Sequence, residues 1–363
     1  MAPTRETYYW VTRTPLFQDE ALSSWLIRVA LGCGCDPLSL AGVIWPKWRV
    51  WTIDIDKGLN QEYLEILARK VAANHEQLNT ATFKELFVQN NELNPHQWIL
   101  ALGTRNRKHS GGWQCCPKCL EEDSIAYFRL NWRYVLHVGC SKHQLRLLDR
   151  CPHCHKAIQP RLLEAPDRTL SCCAICKKKL PDVKANTIDQ NALRLQEDFD
   201  LFLRQGYASY ANTLISISEW LNVIQVFNQF IRKVLRGPLN SKGWAFLNAL
   251  EIKVPHIQLL STGLVLSQLS VDERERIFSC IYQLLNIPQI RFIEIAHSLK
   301  MNRTSFWDKR CRIPKILQPL ERQLDKVSRK YLLIKKVSYI PKPTSKKAIL
   351  RKIWRLKQKN LLN

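Results

Sequence analysis

The chain has 363 residues, 46% of them hydrophobic, with 55 Lys and Arg against 31 Asp and Glu, a formal net charge of +24. That apolar content excludes a disordered chain and the length allows two or three domains with buried cores. Only 12 residues are Gly, and Leu/Ile-rich runs recur at helical spacing, which together favour a mainly α fold. The cationic excess points to a polyanion, nucleic acid ahead of anionic membrane.

Thirteen Cys are an odd number, most of them clustered at short, regular spacings. The opening run MAPTRETYYW has no apolar h-region. Reduced cytoplasmic thiols that bind metal are therefore expected, and not a disulfide framework. The longest uncharged stretch, Val254–Val271, carries His256, Gln258 and Gln268 and reads as soluble helix or loop, so no membrane partner is expected.

Residues 1–112 read as a helical unit. Asp19-Glu20 lead into a helix over Leu22–Ala30 that Gly32-Cys33-Gly34 should end. Asp54 and Asp56 resemble a metal-binding pair but have no third acidic partner, so an exposed strand is expected there. A helix over Gln61–Ala73, a break at Asn74–Gln77 and a second helix over Thr82–Phe87 outline a first helix-turn-helix candidate. An ordinary helical hairpin has the same outline.

Residues 113–182 carry four ligand pairs with two intervening residues each: Cys116 and Cys119, Cys140 and His143, Cys151 and Cys154, Cys173 and Cys176. That spacing lets both side chains of a tight turn converge on one ion, and two pairs complete the tetrahedron that Zn²⁺ favours. Joining the pairs in order gives one Cys₃His and one Cys₄ site, hence two structural zinc ions; a cross-braced arrangement satisfies the same arithmetic. Cys115, Cys172, His153 and His155 are adjacent spares, while Cys33, Cys35, Cys280 and Cys311 read as buried thiols. The carboxylate run Glu121-Glu122-Asp123 reads as the start of a helix. Four protein ligands leave no open coordination position, and no G-x-x-x-x-G-K-[ST] loop occurs, so a non-enzyme without a small-molecule substrate is expected.

Residues 183–325 read as a mostly helical domain with breaks at Pro238, Pro255, Pro288, Pro314 and Pro319. Within it lies a second helix-turn-helix candidate. Phe292–Leu299 forms the first helix, Lys300-Met301-Asn302 the turn, and a second helix runs from Arg303 to Arg310. Arg303, Thr304 and Ser305 would then face base edges, with Lys309 and Arg310 on phosphates; Phe306 and Trp307 also suit a core. Residues 326–363 hold thirteen Lys or Arg and no Asp or Glu. Lys346, Lys347, Arg351, Lys352 and Arg355 interleave with Ile349, Leu350, Ile353 and Trp354, so residues 345–359 read as a basic amphipathic helix that binds phosphates through counterion release.

The run Cys116-Pro117-Lys118-Cys119-Leu120-Glu121-Glu122-Asp123, followed by Tyr127-Phe128-Arg129, Trp132-Arg133, Cys140-Ser141-Lys142-His143 and Cys151-Pro152-His153-Cys154, resembles the TniQ/TnsD family of transposon target-selection proteins. The opening Pro15-Leu16, Asp19-Glu20, Leu22-Ser23-Ser24-Trp25-Leu26, Arg28 and Ala30 is similar to that family's first motif, and Trp98–Gly103 fits as well. The resemblance covers roughly residues 10–180. It implies a non-enzymatic adaptor in DNA transposition that binds target DNA or an RNA-guided CRISPR effector with its guide RNA. Such an adaptor recruits an AAA+ regulator ATPase and, through it, the transposase; some members are dimeric. The alternative is a stand-alone zinc-containing transcriptional regulator.

Overall fold

The computed structural model describes residues 14–71, 74–84, 86, 97–102, 112–182, 185–254, 264–308, 311–324 and the single positions 345, 349, 350 and 353. The fold is mainly α, as expected. Residues 1–325 form one unit and residues 326–363 another.

The first helix, α1 (Leu22–Gly32), is buried from Leu22 to Leu31. A helix buried on every side belongs inside a core, and α1 serves two. Leu22, Trp25, Leu26, Val29 and Ala30 pack with α2 (Pro37–Ile44) and α3 (Gln61–Val71) in a smaller core, whereas Ile27 and Leu31 join a larger one built from residues after 97. The chain leaves α1 through Cys33 and Gly34, the latter at φ +71°, a left-handed position that suits Gly. Helix α2 starts at Pro37, where a missing N–H is harmless.

Helix α4 (His75–Thr80) is the next element. The Asn74 side chain accepts from the Gln77 amide, so the expected break at Asn74–Gln77 is an N-cap and first helical turn. Thr82 and Phe83 lie in a bend, but Lys84 and Leu86 are helical, so the expected second helix starts later than Thr82. Ala73, Glu85 and Phe87 lie outside the described residues.

In the central region α5 (Pro117–Glu122) precedes a short antiparallel pair, β1 (Gly139–Cys140) with β2 (Leu145–Arg146). Three tight turns there share one geometry. The amides of Gln144, His155 and Lys177 donate to the carbonyls of Cys140, Cys151 and Cys173, at 2.8, 2.9 and 2.9 Å. Each donor follows its Cys by four residues and has positive φ, +54°, +57° and +61°.

Thereafter come α6 (Gln190–Gln205), the hairpin β3 (Ala208–Tyr210) with β4 (Thr213–Ile215), and α7 (Ile217–Arg236). Ala211 and Asn212, both at positive φ, make the hairpin turn. Helix α8 (Lys242–Ala249), α9 (Val271–Leu285) and α10 (Gln289–Ser298) complete a bundle, and α9 begins with a Ser270–Glu273 capping box. The one-turn α11 (Arg303–Phe306) and α12 (Gln318–Gln323) follow. Phe230, Phe246, Phe292 and Phe306 form a cluster with ring centroids 4.8–5.8 Å apart, in the offset and edge-on arrangements aromatic rings prefer. Pro238 and Pro288 lie at helix boundaries, but Pro319 stands in the first turn of α12 and so helps to start a helix there. No helix among the described residues is long and apolar enough to cross a membrane.

In the second unit Ile349, Leu350 and Ile353 are helical and exposed. The expected cationic contacts Lys346, Lys347, Arg351, Lys352 and Arg355 lie outside the described residues.

Candidate metal centres and the joints around them

The tight turns bring the four pairs together in chain order, first with second and third with fourth. One ligand atom from each of Cys116, Cys119, Cys140 and His143 lies within 4.8 Å of every other, and the same holds for Cys151, Cys154, Cys173 and Cys176. In the first group His143 Nδ1 stands 3.4, 3.3 and 3.5 Å from the sulfurs of Cys116, Cys119 and Cys140, and the Cys119 and Cys140 sulfurs are 3.6 Å apart. In the second, Cys151 to Cys176 is 3.6 Å and Cys154 to Cys173 is 3.7 Å.

These spacings can be tested against a metal. A tetrahedron with Zn–S near 2.3 Å and Zn–N near 2.05 Å has S···S edges of about 3.8 Å and S···N edges of about 3.5 Å. Both groups fit zinc on that measure and on donor chemistry. A disulfide would need S–S near 2.05 Å, and all thirteen Cys are free thiols.

Crowding four donors sets their acidities apart. The Cys140 thiol is held at about 2, chiefly by hydrogen bonds to it from Cys116 and Cys119, against burial. Contacts with Cys116 first and Cys140 next push the Cys119 thiol far up. In the second group burial raises Cys151 to about 12 while the amides of Cys154 and His153 pull it down. Cys176 falls to about 7, mainly through the Lys178 amide. Amides that favour thiolate also favour a metal ligand.

Beyond the ligands, Glu122 accepts from His143 Nε2 at 2.9 Å and from Lys142 Nζ at 2.7 Å. A carboxylate on the far ring nitrogen fixes the tautomer that leaves Nδ1 free to ligate. This corrects the reading of Glu121-Glu122-Asp123 as a helix start. Pro117 starts α5, which ends at Glu122, and the three acids find side-chain partners in Lys118, His143 with Lys142, and Arg129. The spares lie outside both groups. Cys115 pairs by backbone with Leu148 and Cys172 with Lys179, His153 faces the Lys179 carbonyl, and His155 occupies a left-handed turn position.

Buried polar joints hold this region to the helices on both sides. Arg133, 1% exposed, grips Asp54 at 2.7 Å and also Asp56, whose carboxylate takes the Ser23 amide at 2.8 Å and hydroxyl at 2.6 Å. Burial pushes the Asp56 carboxyl up and the Arg133 charge opposes it. Asp54 and Asp56 therefore do not form an exposed strand. Asp56 is fully buried in a 3-10 turn over Ile55–Lys57, because a buried cation three elements away neutralises it. Glu20 holds Ser24 and Arg28 at 2.8 Å, and Ser24 in turn accepts the Phe128 amide at 2.9 Å. Arg129 binds Asp123 and Asp19 and lies over Trp132 and Tyr127.

On the other side, Gln196 of α6 pairs with β1 as a strand would. Its amide oxygen accepts from Val138 and Gly139 at 3.0 and 3.1 Å and its nitrogen donates to the Gly139 carbonyl at 3.0 Å. A Cβ on Gly139 would lie 2.7 Å from Ile188 Cγ1, so Gly permits this approach. Arg274 of α9, fully buried, donates to the Val135 and His137 carbonyls and to Gln114 at 2.7 Å.

The second helix-turn-helix candidate has a different local form from the one expected. Lys300 takes φ +51° and Asn302 caps α11, but α11 ends at Phe306 because Trp307 is extended. Phe306 and Trp307 are core, each 1% exposed. Arg303 pairs with Glu321, the Thr304 hydroxyl bonds Asn302, and Ser305 closes the capping box. Lys309 and Arg310 lie outside the described residues.

No curated protein matches the chain. The TniQ family model matches residues 11–147, a span that includes the Glu20 and Arg133 joints and the first Cys/His group. It ends before the second group, short of the expected limit near residue 180. A TniQ domain supports a transposon-associated role in target selection or DNA binding. Residues 11–147 are thus similar to the TniQ family.

Proposed function

We propose that the chain is a non-enzymatic target-selection adaptor of DNA transposition, held in shape by two structural Zn²⁺ ions. The TniQ match over residues 11–147 carries this reading. Cys116, Cys119, Cys140 and His143 would hold one ion, and Cys151, Cys154, Cys173 and Cys176 the other. When bound, each ion cross-links two turns and, with four protein ligands, offers no position to a substrate. The surrounding residues do the remaining work: Glu122 orients His143, and Arg133, Gln196 and Arg274 tie the metal region to the helices.

The cationic segment 326–363 would supply sequence-independent contact with target DNA, and Arg303, Thr304, Ser305, Lys309 and Arg310 are further contact candidates. The partners that complete the role are an AAA+ regulator ATPase and the transposase behind it, with a CRISPR effector or a second copy of the chain as further partners. In an electrophoretic or fluorescence titration, deletion of residues 326–363 should weaken duplex binding and flatten its salt dependence. The purified chain should also retain the ATPase on target DNA. Binding to one operator with no effect on the ATPase would instead favour a stand-alone transcriptional regulator.

A further inference from the structure

Helix α7 carries a polar stripe that its apolar packing does not explain. Gln225, Asn228, Gln229, Arg232, Lys233 and Arg236 recur at helical spacing and, with Gly237, Leu264, Phe306 and Asp308, line a cavity of about 540 Å³. Asn228 is 1% exposed, yet its Oδ1 has no hydrogen-bond partner among the described residues, and neither does the buried Nε of Arg232. Arg232 Nη2 is anchored on the Leu264 carbonyl at 2.6 Å, and Lys233 Nζ on the Thr304 carbonyl at 2.7 Å. Among the described residues, Asp308 is the one carboxylate lining the cavity, against three cations.

Cations in the last turn of a helix ordinarily offset its dipole, which accounts for Lys233 and Arg236. It does not account for a desolvated guanidinium edge and a buried amide oxygen facing one cavity, since such groups are costly when unpaired. A phosphate monoester that still carries a proton satisfies both directly, and a diester does so through a bound water: the phosphate oxygens accept from Arg232 and the rim cations while the O–H of the acid or of the water donates to Asn228. We infer that this cavity is a phosphate-binding pocket, with Arg232 and Asn228 as its inner contacts and Lys233 and Arg236 at its rim. The phosphate is either a nucleic-acid backbone group or a free phosphate ester. The first source rests on the DNA contact proposed above; the pocket itself does not.

The test uses the full chain with two probes, inorganic phosphate in a thermal-shift assay at constant ionic strength and a short DNA duplex titrated across salt. Phosphate should raise the wild-type melting temperature, and Arg232→Gln and Arg236→Gln should abolish the rise. If the source is DNA backbone, each variant also weakens duplex binding by about tenfold and lowers the salt slope by about one. If the source is a free ester, the phosphate shift is lost with duplex binding unchanged. Arg204→Gln, at an exposed cation of α6 outside the cavity, should change neither readout. Should Arg232→Gln fail to fold, the rim variant decides alone. The pocket is refuted if phosphate does not shift the wild type, or if Arg204→Gln matches the pocket variants. A wild type that ignores the duplex but responds to phosphate removes the DNA reading and leaves the pocket standing.

Discussion

The two Cys/His groups obey the same spacing rule but are set differently into the protein. In the first, Cys116, Cys119 and Cys140 are buried on a helix start and a strand, and Cys140 follows the Gly139 that Gln196 clasps. In the second, Cys154 and Cys176 are only partly buried and all four ligands come from turns. The family match includes the first group and stops before the second. Ligand arithmetic therefore identifies where a metal fits, whereas the surrounding packing decides how much of the fold depends on it.

The sharpest way to break this comparison is to remove one ligand from each group. Cys119→Ser should abolish the cooperative unfolding transition, because zinc binding contributes on the order of 10 kcal/mol to a folding-coupled site and three of this group's ligands are buried in the larger core, against two of the second's. Cys176→Ser should lose one zinc and keep a cooperative transition, seen by calorimetry, at a lower melting temperature. Equal losses from both variants would erase the distinction.

Next in size is the joint on the N-terminal side. Arg133→Met strands the buried Asp56 without its cation, and should cost about 3–5 kcal/mol in urea unfolding. A loss below about 1 kcal/mol, the scale of an exposed ion pair, would show that Arg133 is not a joint. Gln196→Leu leaves three backbone groups of Val138 and Gly139 without this partner and should cost about 1–3 kcal/mol, with no change in zinc content.

Smaller effects separate the metal groups again. Glu122→Gln should weaken zinc at the first group by about tenfold in a chelator competition and leave the second unchanged, since only His143 has that carboxylate behind it. Lys177→Gly, at φ +61°, should stabilise the second group's turn by up to about 1 kcal/mol by relieving a left-handed Lys. A destabilised Gly variant would mean that the Lys177 ion pairs with Asp167 and Glu164 outweigh the backbone strain.

How much of this was legible in the sequence depends on the range of the interaction. The Cys/His pairs are local, and regular spacing exposes them. The helices α1, α3 and α10 follow from apolar periodicity. The joints were invisible for the opposite reason: Arg133 meets Asp56 across 77 positions and Arg274 meets Gln114 across 160, and no periodicity couples residues so far apart. Asp54-x-Asp56 was misread because alternation suggests a strand, while the burial that overrules it comes from a distant cation. Tyr207–Ser216 falls within a stretch that reads as helical, although Asn212 is a turn signal for the hairpin found there. The length of α11 was overestimated because Phe306 and Trp307 fit both a helix face and a core, and the core prevailed.

The central claim is that two metal ions hold this chain in shape and that the first matters more. Elemental analysis of the reduced, full-length protein, purified without chelator and then unfolded alongside its Cys176→Ser variant, addresses it most directly. The account predicts two zinc ions per wild-type chain and one in a variant that still unfolds cooperatively. Zinc-free protein with an intact cooperative transition would contradict it.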